Sequence, residues 1–284
     1  MNDVRRVLVT GANGYVGRHV VTAAADAGHQ VIAVVRPGTK HEIDPRATIA
    51  EADILAPGFD VTSLADEAPD VVIHLAWTDG FRHNASSHML MLSGHFAFLE
   101  GVVDWGVGQL SVLGTMHEIG YWEGAIDADT PTSPTTLYGI AKDALRRAAF
   151  ATLAERVPLT WLRCYYIYGD DRRNNSIFAR LLEAVDAGKT TFPFTTGKNR
   201  YDFIAVDELG RQIVAASTQT RVLGVINCAT GEPMSLAERV EGFIRENGLP
   251  IALEYGAFPD RPYDSPGVWG DATDIRSILG ASGA

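Results

Sequence analysis

Tyr138 and Lys142 are the two residues whose types and spacing could do chemistry together. They stand four positions apart where a helical pattern begins, so both side chains lie on one face of the helix. A free tyrosine ionises at about pH 10, and a nearby ammonium favours the phenolate and lowers that pKa. Such a pair can exchange a proton with a carbinol oxygen while a hydride moves at the carbon. A Tyr and a Lys at this spacing are also common on solvated helix surfaces, so the rest of the chain decides between these interpretations.

A glycine-rich turn follows the first predicted strand. The β-rich run Arg6–Thr10 leads into this turn, and a helical pattern then continues to about residue 27. Glycines allow a tight turn and let a pyrophosphate approach the free N–H groups of a helix N-terminus. We therefore predict a dinucleotide site, the alternative being a purely structural turn. The residues of the turn assigned to the cofactor are Gly11, Asn13, Gly14, Tyr15, Val16 and Gly17.

Arg36 directly follows the second predicted strand, residues 29–35. In dinucleotide-binding folds, a carboxylate at this position accepts hydrogen bonds from the adenosine ribose, and it would repel a 2′-phosphate. An arginine does the opposite, because its guanidinium can pair with that phosphate. Arg36 therefore predicts NADP in preference to NAD. A solvated arginine at a strand end is the alternative.

Two further strand ends supply candidates for the cofactor site. Asp53 and Ile54 follow a short third strand, where the Asp53 carboxylate could accept from an adenine amino group or simply face solvent. Residues 71–77 are predicted to form the fourth strand. Ligands of open α/β sheets bind beyond the carboxyl ends of the strands, so we expect the last residues of this run to contact the cofactor. Those residues are Leu75, Ala76 and Trp77.

The alternation of strands and helices predicts an α/β protein with a doubly wound parallel sheet, the Rossmann architecture. After Tyr168 the pattern changes to a polar loop and then to short β-like segments between helices. We predict an NADP-binding domain with the catalytic residues over residues 1–168. Residues 169–284 are predicted to form a small C-terminal α/β substrate lobe, interleaved with late elements of the sheet.

Composition and charge disfavour several classes of partner. A chain of 284 residues that is 46% hydrophobic can bury a sizeable core, and its net charge of −11 argues against binding nucleic acid or an anionic membrane surface. Cys164 and Cys228 form no metal or disulfide pattern, and no metal site is expected. No apolar run reaches the length of a membrane span and no signal peptide is recognised, so we expect a cytoplasmic protein.

The glycine turn, Thr115 and the Tyr138–Lys142 pair occur in an order typical of one family. The chain resembles the extended short-chain dehydrogenase/reductases, which are NAD(P)-dependent nucleotide-sugar epimerases, dehydratases and reductases, over nearly its whole length. Members carry Ser or Thr five residues before a glycine, here Thr115 before Gly120. The resemblance implies that Thr115 hydrogen-bonds the substrate oxygen and that Tyr138 is the acid/base. It also implies that Lys142 holds the nicotinamide ribose and lowers the Tyr138 pKa, and it assigns Tyr165 to the cofactor.

The resemblance further implies a nucleotide-sugar substrate, and we expect a homodimer. In this assignment Arg200 or Arg261 binds the diphosphate of the substrate. The residues assigned to the substrate are Thr115, Met116, His117, Tyr166, Asn175, Ser176, Arg200 and Arg261.

Three reactions of the family share this machinery. Dehydratases place an Asp-Glu pair directly after the Thr, where this chain has Met116 and His117, so dehydration is disfavoured. Many 4-epimerases carry an Asn where this chain has Tyr166. These differences and Glu118 look most like NADPH-dependent 4-ketoreductases of nucleoside-diphosphate 4-keto-6-deoxyhexoses. An NAD-dependent nucleotide-sugar 4-epimerase is the alternative, and a non-catalytic NADP-binding sensor is the alternative of another class.

Overall fold

The computed structural model describes residues 4–169, 172, 174–259 and 265–282. The strands are β1 (Arg6–Thr10), β2 (Gln30–Val35), β3 (Thr48–Glu51), β4 (Val71–His74), β5 (Gln109–Thr115), β6 (Gly124–Ile126), β7 (Leu159–Cys164), β8 (Tyr166–Tyr168), β9 (Thr191–Pro193), β10 (Arg200–Tyr201), β11 (Phe203–Ala205), β12 (Gly224–Cys228), β13 (Met234–Ser235), β14 (Ala252–Glu254) and β15 (Gly267–Gly270). Seven of them form one sheet in the order β12-β7-β5-β4-β1-β2-β3. Every neighbouring pair in it is parallel, which confirms the predicted doubly wound sheet.

Helices cover both faces of this sheet, which is why its strands are apolar on both sides. The helices are α1 (Tyr15–Asp26), α2 (Ser87–Leu90), α3 (Leu92–Trp105), α4 (Leu137–Thr152), α5 (Ile177–Asp186), α6 (Val206–Ser217), α7 (Leu236–Glu246) and α8 (Thr273–Ser282). Alternate residues of β1 face opposite sides of the sheet. Val7 and Val9 belong to a core with α1, α6 and α8, whereas Leu8 belongs to a core with α3 and α4.

The later elements divide between this sheet and a smaller lobe. Strand β12 is an edge strand of the large sheet, and helices α6 and α8 cover that sheet. A four-stranded sheet in the order β13-β10-β15-β6 packs with α5 and α7 around a third apolar core. In that core the rings of Phe178 and Phe243 are 5.0 Å apart. Strand β6 brings an early segment of the chain into the lobe.

Two predicted elements are interrupted in the structure. The helical periodicity of residues 88–105 predicts one helix, but α2 and α3 are separate and meet at Met91. The apolar, β-rich run of residues 159–165 predicts one strand, but this strand ends at Cys164, and the chain then leaves the large sheet to pair β8 with β11. Within the described residues, no helix combines the length and apolar character needed to cross a membrane.

The strand order reverses between β1 and β4, which creates a crevice at the carboxyl ends of these two strands. The turn after β1 and the segment after β4 border it. The turn after β5 and the start of α4 lie near the same end of the sheet, because β5 pairs directly with β4. The fold therefore positions the predicted cofactor residues beside the predicted catalytic residues.

Candidate active site

The glycine turn after β1 is shaped so that only small residues fit at its contacts. Gly11 has φ +65°, and a Cβ there would lie 2.7 Å from the backbone nitrogen of Ala76. A Cβ at Gly17 would lie 2.1 Å from the Gly11 carbonyl oxygen. The missing side chains let the turn approach the segment after β4 and let α1 start directly against the turn. Such a turn at a helix N-terminus fits the pyrophosphate of a dinucleotide.

A cavity of about 390 Å³ lies at the strand-order reversal. Of the residues predicted from sequence to bind the cofactor, the cavity is lined by Gly11, Asn13, Gly14, Arg36, Asp53, Ile54, Leu75, Ala76 and Trp77. It is also lined by Val34, Val35, Thr39, Ala52, Leu55, Thr78 and Asp79, which the sequence analysis does not assign. Each of these seven residues lies within three positions of a predicted cofactor residue. Extending each predicted segment by three residues in both directions would therefore have identified them. The lining residues come from the ends of four neighbouring strands, β1, β2, β3 and β4, which is where a dinucleotide binds in an open α/β sheet.

The remaining cofactor candidates on the turn and strands face elsewhere. The Tyr15 hydroxyl donates to the Gly169 carbonyl (2.7 Å), which ties α1 to the end of β8. Val16 packs against the apolar core of the large sheet. The Tyr165 side chain lies in the lobe core, where its hydroxyl donates to Asn227 Oδ1 (3.0 Å). The assignment of the Tyr165 side chain to the cofactor therefore does not fit, because the strand break after Cys164 turns the ring into the lobe.

Arg36 and Asp53 lie at the outer part of the cavity. The Arg36 guanidinium is exposed and donates to Thr78 Oγ1 (2.7 Å). The exposed Asp53 carboxylate accepts a long hydrogen bond from the Leu55 backbone (3.4 Å). Both side chains can therefore reorient toward a bound adenosine.

Tyr138 is positioned by the start of α4. Thr136 caps this helix by accepting from the Gly139 backbone (3.2 Å), and the Tyr138 backbone N–H donates to the His83 carbonyl (2.8 Å). Gly139 allows α4 to approach the turn after β5, because a Cβ there would lie 2.3 Å from the His117 carbonyl oxygen. The close contact brings Tyr138 next to Thr115, the last residue of β5.

Thr115 is held by hydrogen bonds at both its backbone and its side chain. Its N–H donates to Glu118 Oε1 (2.8 Å), and its Oγ1 accepts from the His117 N–H (3.3 Å). This bond does not use the hydroxyl hydrogen of Thr115, which can therefore donate to another acceptor. The Thr115 side chain acts on Tyr138 as a hydrogen-bond partner in the direction that favours the phenolate.

Lys142 lies one turn after Tyr138 and is fully buried. Its ammonium donates to the Leu113 carbonyl (2.6 Å) and lies 3.9 Å from the centre of the Trp77 ring. The other face of Trp77 is supported by His95, whose ring is 4.3 Å away and which hydrogen-bonds His74 (3.0 Å). Burial lowers the pKa of Lys142 to about 8. Trp77 thus connects the dinucleotide cavity to Lys142.

The pKa of Tyr138 moves in the direction opposite to the sequence prediction. Burial raises it above the ordinary value, the Cys164 thiol adds to the increase, and the bond with Thr115 opposes it only in part. Lys142 is not among the groups that shift this pKa, and its ammonium donates to the Leu113 carbonyl. Tyr138 is therefore a protonated acid at neutral pH, in the form needed to donate a proton.

Aromatic and imidazole rings surround Tyr138. His83 stacks on it at 5.5 Å, and Trp77, His88 and His117 lie at 6.1, 5.3 and 5.9 Å between ring centres. Burial lowers the pKa of His117 to about 4 and also lowers that of His83, so both are neutral at pH 7. His83 lies in the irregular segment between β4 and α2, and His88 lies in the one-turn helix α2; neither belongs to a motif that would mark it in the sequence. No group of three or more potential ligands in the described part of the chain could hold a metal ion.

The predicted substrate residues are spread over the active-site turn and the lobe. Met116 is buried in the lobe core. The Tyr166 ring stacks on Tyr201 at 4.2 Å, and the exposed Arg200 donates to the Pro233 carbonyl (2.7 Å). Ser176 caps α5 by accepting from the Ala179 backbone (3.2 Å). Asn175 is exposed, and Arg261 lies outside the described residues.

Comparison with known proteins identifies the family. A model of the NAD dependent epimerase/dehydratase family matches residues 7–229. The chain belongs to this family. It is 42% identical over 271 residues to the dTDP-6-deoxy-L-talose 4-dehydrogenase (NAD(+)) of Aggregatibacter actinomycetemcomitans, covering 93% of this chain and 98% of the relative. It is 24% identical to a UDP-glucose 4-epimerase of Lactobacillus helveticus, covering 97% of this chain and 91% of the relative. The family resemblance seen in the sequence is confirmed.

A solved structure bound to a nucleotide sugar and NAD has the same fold. MoeE5 in complex with UDP-glucuronic acid and NAD superposes with a TM-score of 0.75 at 27% identity, over 97% of this chain and 92% of that one. The chain is thus an enzyme-family member with the fold of nucleotide-sugar enzymes that bind a nicotinamide dinucleotide.

Proposed function

We propose that this protein is a 4-ketoreductase that interconverts a nucleoside-diphosphate 4-keto-6-deoxyhexose and its 4-hydroxy form. The observation that carries the proposal is the pairing of the Thr115 and Tyr138 side chains beside Trp77, which also lines the dinucleotide cavity. The name of the 42% identical relative, a 6-deoxy-L-talose 4-dehydrogenase, supports the same position and sugar class. Dehydrogenation at C4 and reduction of a 4-ketone are one reaction in opposite directions.

Thr115 and Tyr138 have different roles at the C4 oxygen of the sugar. Thr115 donates its hydroxyl hydrogen to that oxygen, while its Oγ1 accepts from the His117 N–H. Tyr138, kept protonated by burial, supplies the proton that converts the developing alkoxide to a hydroxyl. Lys142 would hold the nicotinamide ribose with its ammonium, and this ammonium packs on the face of the Trp77 ring. A bound nicotinamide supplies or accepts the hydride at C4.

The structure disfavours dehydration, which needs a proton donor and a base directly after Thr115. Met116 is buried and its thioether cannot transfer protons. His117 is neutral, with a pKa of about 4, so it is not a general acid at pH 7. A 4-epimerase would use the same Thr115 and Tyr138, and the family includes UDP-glucose 4-epimerases, so this is the alternative reaction. A non-catalytic sensor would not need the assembled Thr115, Tyr138 and Lys142.

The cofactor is a nicotinamide dinucleotide, and its phosphorylation state is a separate question. The name of the close relative specifies NAD(+), and MoeE5 was solved with NAD. Neither supports the NADP preference predicted from Arg36. Arg36 remains the argument for NADP(H), because its exposed guanidinium lines the cavity at the end of β2. The chemistry at C4 is the same with either cofactor.

The experiment is product analysis with both cofactors. The purified protein is incubated with NADH or NADPH and a panel of 4-keto-6-deoxyhexose nucleotides, and the products are assigned by NMR. We expect a single C4 alcohol from at least one of them. Absence of reduction with every 4-ketone, together with conversion of a UDP-hexose, would contradict the proposal and favour the epimerase. The expectations of a cytoplasmic homodimer stay predictions.

A further inference from the structure

Glu118 is a fully buried carboxylic acid two residues before the glycine that closes the active-site turn. Its Oε1 accepts from the Thr115 backbone N–H (2.8 Å) and from the Trp161 indole N–H (2.9 Å). Gly114 leaves room for this junction, since a Cβ there would lie 2.1 Å from Trp161 Nε1 and 2.7 Å from Glu118 Oε1. The end of β5 is thus built around the Glu118 carboxylate.

The second oxygen of Glu118 faces two guanidinium groups. Oε2 lies 3.7 Å from Arg146 Nε and 3.7 Å from Arg163 Nε. Burial raises the pKa of Glu118, and the charge of Arg163 opposes this. A protonated acid would need an acceptor for its hydrogen, but the hydrogen-bond and ion-pair partners described for the two oxygens are all donors. Glu118 is therefore a carboxylate, balanced by Arg146 and Arg163.

Two hydrogen bonds fix the conformation of Thr115, one that it donates and one that it accepts. Its N–H is bound by Glu118 Oε1, and its Oγ1 is bound by the His117 N–H in a reciprocal capping arrangement. If the carboxylate bond is lost, the one-turn helix of residues 116–118 is no longer fixed to the strand end. Thr115 Oγ1 would then lose its defined distance to Tyr138, although both residues would still be present.

We propose that Glu118 is a positioning residue for catalysis: its carboxylate fixes the backbone of Thr115 so that the Thr115 hydroxyl donates to the reacting oxygen. This rests on the proposed function, in which Thr115 contacts the substrate oxygen. A purely structural role, in which Glu118 only neutralises Arg146 and Arg163, makes different predictions. In that case any variant that keeps the negative charge also keeps the turnover.

Glu118→Asp separates the two roles. It keeps the charge opposite the arginines but is one methylene shorter, so it cannot hold both the Thr115 N–H and the arginines. We expect kcat to fall at least tenfold, with KM for the sugar nucleotide and Kd for the cofactor within about twofold of wild type. The matched control is Gln109→Asn, which shortens by one methylene a buried side chain bonded to the Gln219 carbonyl (2.7 Å). Gln109 is at the opposite end of β5, about 20 Å from Thr115, so kcat should not change.

A double-variant cycle tests whether Glu118 acts through Thr115. The Thr115→Ala/Glu118→Asp protein should be slower than Thr115→Ala alone by no more than about twofold. Multiplicative losses, or wild-type kcat in Glu118→Asp, would overturn the proposal. The cycle is run on whichever sugar nucleotide the wild type converts, so an inactive wild type with 4-keto sugars counts against the proposed function only.

A measurement on the wild type needs no variant to fold. In protein labelled with ¹⁵N-threonine, the Thr115 amide should be downfield and strongly protected from hydrogen exchange, with or without substrate. A freely exchanging Thr115 amide would overturn the proposal, whatever the reaction catalysed.

Discussion

Gly139→Ala should slow turnover while leaving the cavity after strands β1–β4 intact, because Gly139 is the point where α4 contacts the active-site turn. An added Cβ would lie 2.3 Å from the His117 carbonyl oxygen, so helix and turn must separate by roughly 1 Å to reach van der Waals contact. Tyr138 is on the helix and Thr115 is on the turn, so their hydrogen bond lengthens. A displacement of about 1 Å at reacting groups can cost about 100-fold, and we expect a loss of about 10- to 100-fold in kcat.

The assay compares kcat, the cofactor Kd and the unfolding temperature of this variant with those of Gly280→Ala. Gly280 lies in α8, and a Cβ there meets nothing within 4 Å. Alanine is favoured over glycine in helices by about 1 kcal/mol, so the control should be at least as stable as wild type and fully active. If Gly139→Ala turns over at the wild-type rate, the contact between α4 and the turn does not set the geometry of the two hydroxyls.

Two further substitutions test the cofactor and the proton donor. Arg36→Ala should raise the Kd for NADPH about tenfold and leave that for NADH nearly unchanged, because a charge-assisted bond to a phosphate contributes about 1.5–3 kcal/mol; equal losses in titrations of both cofactors would refute the role of Arg36. Tyr138→Phe should bind the cofactor normally and lose about 10²–10⁴-fold in kcat, as expected for a general acid. Near-normal turnover of this variant would show that another group supplies the proton.

The sequence predicts those parts of the site that depend on local chain geometry. The glycine spacing places Gly11 and Gly14 in the cavity wall, since a tight turn between a strand and a helix is a local feature. The helical spacing of Tyr138 and Lys142 likewise puts both on one face of α4. Nine predicted cofactor residues line one cavity for the same reason, because they all follow strand ends of a parallel sheet.

Features set by long-range packing could not be read from the sequence. The rings of His83 and His88 reach Tyr138 only because the segment between β4 and α3, which includes the short helix α2, packs against the start of α4. The raised pKa of Tyr138 depends on burial by residues distant in the chain, whereas the Lys142 spacing alone suggests a lowered one. Tyr165 faces the lobe because the strand breaks after Cys164, and no local signal marks that break.

The most direct test of the central claim is the stoichiometry of the reaction, measured as moles of oxidised cofactor formed per mole of sugar nucleotide converted. A 4-ketoreductase consumes one reduced cofactor in each cycle, so the ratio with a 4-keto-6-deoxyhexose nucleotide should be close to one. An epimerase returns its hydride to the same sugar and needs no net redox partner. Conversion of a UDP-hexose without consumption of NADH or NADPH would contradict the account, and would leave the fold and the pairing of Thr115 with Tyr138 unchanged.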